Sequence, residues 1–524
     1  MQVPASLTET WQLSKAAAHG ERGMVASQHY LASEVGAAVL RDGGNAIDAA
    51  IATGFALGTV EPWMSGIGGG GYMTVRLASG ETRVVEFGMR APFAARAGDY
   101  PLAGAGENAS DAFNWPKVVD DANVEGPRSI AVPGYVKGMA LALETFGTRS
   151  WSQLLDPACQ LASQGLPLDW FTVHKITSFS RNLKRDEECR RVYLADGLPP
   201  SINIEGELTT LPLGKLADTL RILRDHGPSA YYEGELAERI VVDLQAVGSR
   251  IDMTDLSAYE ARIGDPLTLD YRGAKVAVAG HLTAGPSLTQ ALSRLQGLLE
   301  VRTAQPDAAA YRAYAHSLLD TYAYRLANLG EGSPTAPGAT SHLCTADAFG
   351  NVVSLTQTIM SGFGSRVMLP QSGMLMNNGM MWFDPRPGGP NSVVGGRHPL
   401  SNMCPAIVSA ADGSHIAVGA CGGRKIFPAV FQLVSFLTDY AMSVDDAVSI
   451  ARLDNSGTPT VTLMDHIDPT IATELARHLP DVRMRPNAIA PNFFALPQVV
   501  RANADGSFEG GCFIASPHAQ AVAA

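Results

Sequence analysis

A chain of 524 residues that is 46% hydrophobic and 17% charged, with 53 glycines and 32 prolines, has the composition of a core-rich, loop-rich globular enzyme. Its net charge is −12 and no lysine/arginine block stands out, which argues against nucleic acid or an anionic membrane as partner. No apolar run reaches the roughly 18 residues of a membrane span, and the first 23 residues lack the apolar core of a signal peptide. The six cysteines are scattered, form no C-x-x-C pair and have no histidines at metal spacing, so they read as buried thiols in a cytoplasmic protein without a metal or other cofactor.

Residues 24–62 read as a short strand and two helices. Leu31–Asp42 has helical spacing and stops at Gly43-Gly44; the Ala/Gly-rich Asn45–Gly58 suits a helix packed closely on a sheet and ends at Glu61-Pro62. The glycine run Gly66–Gly71 leads into a strand at Tyr72–Leu77, and Arg83–Phe87 completes a hairpin around Ser79-Gly80. A dinucleotide loop follows a strand and opens a helix; this run does the reverse, so nucleotide binding is not expected. Residues 98–127 read as loop, and 135–330 as mostly helical, with an amphipathic helix over Ala309–Leu329. A Pro/Gly-rich loop, Glu331–Ala339, follows. Beyond it alternating runs at 341–346, 352–358 and 405–410 predict antiparallel strands, and Phe427–Asp439 a further helix. The natural break lies at 339/340, between a helix-rich first part and a strand-rich second part.

The chemistry concentrates just past that break, in TSHLCTADAFGNVVSLTQT, which begins at Thr340. If the chain is cut between Ala339 and Thr340, this threonine holds a free α-amine beside its own hydroxyl. A nucleophile and a base on one residue suffice for amide hydrolysis. Thr356 and Thr358, at i and i+2 on the next strand, share a face from which a hydroxyl can orient Thr340. Two further clusters matter: Pro399-Leu-Ser401-Asn402-Met-Cys-Pro405, and Gly419-Ala-Cys-Gly422-Gly423-Arg424. A Gly-Gly pair lets two backbone N–H groups converge on one oxygen, as an oxyanion hole requires.

With these motifs in place the chain resembles the γ-glutamyltranspeptidase family of N-terminal-nucleophile hydrolases. The matching stretches are GMVASQHYLASEVGAAVLRDGGNAIDAAIA, VEPWMSGIGGGGYM, AVPGYVKGMALALETFG, TSHLCTADAFGNVVSLTQT, FGSRVMLPQSGMLMNN, HPLSNMCPAIV and ACGGRKI, in the family's order over about residues 23 to 515. The resemblance implies an α+β, four-layer αββα fold. It also implies self-cleavage before Thr340 into a large chain (1–339) and a small chain (340–524) that form a heterodimer, with further dimerisation left open. Carried over by position, Thr340 is nucleophile and base, Thr358 its hydroxyl partner, and Gly422 and Gly423 the oxyanion hole. Ser401 and Asn402 fall where the family has two substrate-contacting serines.

The departures bear on substrate. The position of the family's carboxylate-binding arginine is Gly88, with Arg90 nearby; the family's asparagine after the second strand threonine is Met360. The residues that hold the γ-glutamyl ammonium align with Gly379 and Trp382, and Met381 replaces another acid. An α-ammonium without those anchors binds badly, because burying it uncompensated costs several kcal/mol. The expected substrate is a small amide that carries a carboxylate and no amino group, as in the oxamate amidohydrolases of purine and allantoin breakdown, which yield oxalate and ammonia. Arg90, Arg397 or Arg424 is expected to hold the carboxylate and Trp382 to narrow the pocket. The alternatives are γ-glutamyl transfer or glutathione hydrolysis, a cephalosporin-type acylase, and an inactive family member.

Overall fold

A computed structural model describes residues 13–104, 115–328, 339–456, 458–490 and 492–524. Two seven-stranded antiparallel sheets carry the fold. The centre of the first is built, in order, from β1 (Gly23–Ser27), β3 (Ala339–Asp347), β4 (Val352–Met360) and β2 (Gly70–Arg76). The second contains β7 (Leu496–Ala502), β6 (His415–Cys421) and β5 (Ala406–Ser409), again in that order. The sheets pack face to face through β3 and β4 against β6. Helices α1 (Tyr30–Arg41) and α2 (Ala46–Val60) cover the outer face of the first sheet, and α5 (Ile426–Thr438) covers the second. Four layers, helix–sheet–sheet–helix, are the result, as expected.

Strand composition explains this burial. Every residue of β4 is buried, because one face meets α2 and the other meets the second sheet. α2 is almost wholly buried and rich in alanine and glycine, which lets it lie close to the sheet. Its start is fixed twice: Asn45 and Asp48 form a capping box, and the Asp347 carboxylate accepts the Ala46 N–H at 2.7 Å. The same carboxylate accepts the Phe349 and Asn351 N–H groups, each at 2.9 Å, and so pins the β3–β4 turn.

Most predicted elements stand within a few residues of their expected bounds, among them α4 (Ala308–Asn328). Helices dominate the first part and strands the second, but the two parts build the same sheets. The first 339 residues supply four strands to the first sheet and three to the second, including Arg262–Gly264, Leu267–Tyr271 and Ala274–Val278, inside the stretch read as mostly helical. The strands His415–Cys421 and Leu496–Ala502 were likewise not predicted. The loop 331–338 lies outside the described residues, as does Leu329. All six cysteines are buried and unpaired. Among the described residues no helix is long and apolar enough to cross a membrane, and no cluster of acid, histidine and cysteine side chains could hold a metal ion.

Candidate active site

β3 runs straight through the Ala339–Thr340 bond. Its pairing with β4 jumps from Ser341 opposite Gln357 to Ala339 opposite Met360. Two residues, Thr358 and Ile359, therefore face Thr340 alone, which is a β-bulge. Met360 closes the bulge at φ 88, a left-handed conformation unusual for methionine, and its N–H donates to Thr358 Oγ1 at 2.7 Å. The Thr340 hydroxyl lies 3.5 Å from that same oxygen, and both threonines are buried. Close approach by β2 holds the bulge from the other side. A Cβ on Gly69 would fall 2.2 Å from the Thr358 carbonyl oxygen, and one on Gly71 would fall 2.4 Å from that of Thr356. The glycine run thus serves backbone packing behind the threonine pair.

Alternation sorts the side chains. Ser341 accepts from Ser65 at 3.0 Å and Thr345 donates to the Ala46 carbonyl at 2.6 Å, both on the helix side. Thr340, His342, Thr356 and Thr358 turn to the second sheet. His342 bonds Thr356 Oγ1 at 3.0 Å and packs so closely on Gly419 that a Cβ there would meet its Cε1 at 2.2 Å. Full burial pushes this imidazole down to about 3, so it is neutral. Ser354 donates to the Val418 carbonyl at 3.1 Å. Moving along β4 from Ser354 to Thr356 thus moves along β6 from Val418 to Gly419. From there β6 runs on to Cys421, and Gly422 leaves the strand.

At that end Gly422 has φ 134 and Gly423 φ 60. A Cβ on Gly422 would stand 2.9 Å from Ala495 Cα, so only glycine fits the turn. Gly422 and Cys421 line a cavity of about 260 Å³, together with Trp63, Gly362, Lys175 and Phe179. Gly362 lies just beyond the bulge, and the Trp63 carbonyl accepts the Phe363 N–H at 3.0 Å, so the cavity borders the exit of β4.

Ser401 and Asn402 are buried, and Ser401 Oγ and Asn402 Nδ2 have no hydrogen-bond partner among the described residues. Buried polar atoms in that state suit a site awaiting a ligand. Arg325, on α4, fixes the pair: its guanidinium donates to the Ser401 carbonyl at 2.9 Å, Asn402 Oδ1 at 3.3 Å and Ser287 Oγ at 3.1 Å. Sequence reading missed it, although the signal was present. Arg325 continues the buried stripe Tyr311, Tyr314, Leu318 and Tyr322, where an aliphatic or aromatic residue belongs.

Met403, next to Asn402, packs with Met360, Met381, Trp382 and Met89 in one buried apolar cluster, and Gly379 lies against Met89. The positions aligned with the γ-glutamyl anchors are therefore gathered together and are apolar. The Trp382 carbonyl accepts from Asn391 Nδ2 at 2.7 Å and Trp115 Nε1 at 3.3 Å.

The three arginines differ in their surroundings. Arg90 donates to the carbonyls of Asp255 (2.8 Å) and Ala258 (3.0 Å) and stacks 4.4 Å from the Phe93 ring. Arg424 turns to the Ser456 carbonyl, with its Nε at 3.1 Å. Arg397 is exposed. Two of the guanidiniums donate to main-chain oxygens and the third is exposed.

The gamma-glutamyltranspeptidase family model matches residues 32–334 and 324–512. The glutathione hydrolase proenzyme of Bacillus subtilis (strain 168) is 31% identical over 513 residues, 87% of this chain and 84% of its own length. The acylase ACY 1 proenzyme of Pseudomonas sp. (strain SE83) is 33% identical over 494 residues, 87% of this chain and 86% of its own. A crystal structure of cephalosporin acylase from Bacillus halodurans superposes with a TM-score of 0.85, covering 100% of this chain and 99% of that one at 23% identity, which speaks for the fold. On sequence, fold and the order of its motifs, the chain belongs to the gamma-glutamyltranspeptidase family.

Proposed function

We propose that the protein is a self-processing amidohydrolase acting on a small amide that carries a carboxylate and no α-amino group, with oxamate the leading candidate. In processing, the Thr340 hydroxyl attacks the Ala339 carbonyl carbon and the C–N bond breaks, which frees the Thr340 amine. Water then hydrolyses the ester and leaves a carboxylate on Ala339. The free α-amine, with an ordinary pKa of about 7.7–8.0, suits a general base near neutral pH. In turnover it takes the hydroxyl proton as Thr340 attacks the amide carbonyl and passes a proton to the departing ammonia. Water cleaves the acyl ester, releasing the acid. Thr358 orients the nucleophile, Gly422 and Gly423 receive the oxyanion, and Ser401 and Asn402 offer their unpartnered atoms to the substrate.

One observation carries the choice of substrate: the aligned ammonium anchors are replaced by the buried cluster of Met360, Met381 and Trp382. A γ-glutamyl ammonium placed there would lose its hydration without a counter-charge. A second reading, an acylase for longer acyl amides ending in a carboxylate, is favoured by the cavity of about 260 Å³ beside Gly422, which is roomier than a two-carbon amide needs. Names among the relatives, acylase and glutathione hydrolase, fit hydrolysis of an amide bond.

The test is ammonia or amine release by processed protein from oxamate, succinamate, a glutaryl amide and glutathione, assayed side by side. Turnover of oxamate well above the others supports the first choice. Preference for the glutaryl amide selects the acylase reading, and efficient glutathione hydrolysis refutes both.

A further inference from the structure

Arg90 and Arg424 donate to main-chain carbonyls and Arg397 is exposed, so the cations around the cavity at Gly422 bear on where a substrate carboxylate sits. Two lysines line the cavity that Gly422 opens into, Lys175 and Lys425. Lys425 donates to the Phe493 carbonyl at 2.5 Å. Lys175 differs. Among the described residues its ammonium has neither a hydrogen bond nor an ion pair within contact distance, and it rests 4.7 Å over the Phe171 ring. It belongs to α3 (Trp170–Leu183), and Phe179, one turn on, faces the same cavity.

We infer that Lys175 is the residue that binds the substrate carboxylate, and that the cavity between it and Gly422 takes the acyl chain of an amide ending in that carboxylate. A half-buried ammonium without an acceptor is poorly satisfied, and an anion entering the cavity would supply one. Burial lowers the Lys175 ammonium from its ordinary value, and it raises the acid groups around it. Glu61, the acid that opposes Lys175, is pushed up to about 8 by burial, and the Cys421 thiol up to about 12. Trp63 and Phe179 give the cavity an apolar wall that suits methylenes, and His174, Lys425 and Asn492 line other parts of it. The cavity length then selects among carboxylated acyl chains.

This inference rests on the carboxylate-bearing amide proposed above, and the experiment separates the two. Processed wild-type protein and Lys175→Met are compared on succinamate and on its neutral counterpart butyramide. The expectation is a KM for the anionic amide raised roughly 30-fold or more in Lys175→Met, with the neutral amide changed less than about twofold and partial recovery in Lys175→Arg. Wild-type preference for the anionic amide that survives in Lys175→Met overturns the role of Lys175 alone. Absence of that preference in the wild type overturns the substrate class and Lys175 together. If Lys175→Met does not fold, the wild type decides: succinate should protect Lys175 from acetylation, read by peptide mass spectrometry, and unchanged labelling overturns the inference.

Discussion

Among the described residues the Thr358 hydroxyl oxygen meets the Met360 N–H at 2.7 Å and the Thr340 hydroxyl at 3.5 Å. Its substitution by valine keeps the shape and removes both bonds. Thr358→Val should therefore fold, process slowly and lose roughly tenfold or more in kcat, with KM little changed, in a steady-state ammonia assay. Gly422 is constrained more tightly, by φ 134 and by Ala495 Cα, which lies 2.9 Å from where an added methyl would stand. Gly422→Ala should lower kcat by about 10²-fold, the loss typical of one displaced oxyanion donor. These residues were legible because their chemistry is local: a threonine at a strand start, a strand threonine at i+2 from another, a Gly-Gly pair. Lys175 and the engagement of Arg90 and Arg424 were not. Which carbonyl an arginine reaches depends on segments up to 168 positions away, as with Arg90 and Ala258.

At the scale of elements, the β3–β4 hairpin does more than present Thr340. Its turn carboxylate, Asp347, also caps the start of α2, so nucleophile strand and covering helix are fixed by one side chain. Asp347→Ala should cost about 1–2 kcal/mol in urea unfolding, the range of a lost helix cap, and more if the turn loosens too. Sequence periodicity located α2, the first hairpin and α4, whose patterns are long. It did not find Arg262–Gly264 or Leu267–Tyr271, which are short and largely exposed, nor β6, where Gly419 interrupts the apolar run because His342 needs its space.

For the molecule as a whole, the break at 339/340 divides the chemistry and not the architecture. Both sheets draw strands from both sides of it, so the two pieces share one core and should stay associated after cleavage. Helices dominate the first part by length, whereas the seven strands it gives to the two large sheets are short, so the pattern shows the contrast and hides the shared sheets. Burial also sets a pH response. His342 and His29 are each pushed down to about 3, chiefly by desolvation. Below about 6.5 the unfolded imidazoles take up protons that the folded ones refuse until about 3. The unfolded state then binds more protons, and stability falls as pH drops through that window. Urea midpoints measured from pH 7 to pH 4 should decline, less steeply in His342→Gln.

The proposed chemistry rests on Thr340 as a nucleophile that frees its own amine. Intact mass of the purified protein beside Thr340→Ala tests this most directly. Two fragments, 1–339 and 340–524, in the parent and one full-length chain in Thr340→Ala are predicted. A parent chain that remains whole, or a Thr340→Ala chain cut at the same bond, would contradict it.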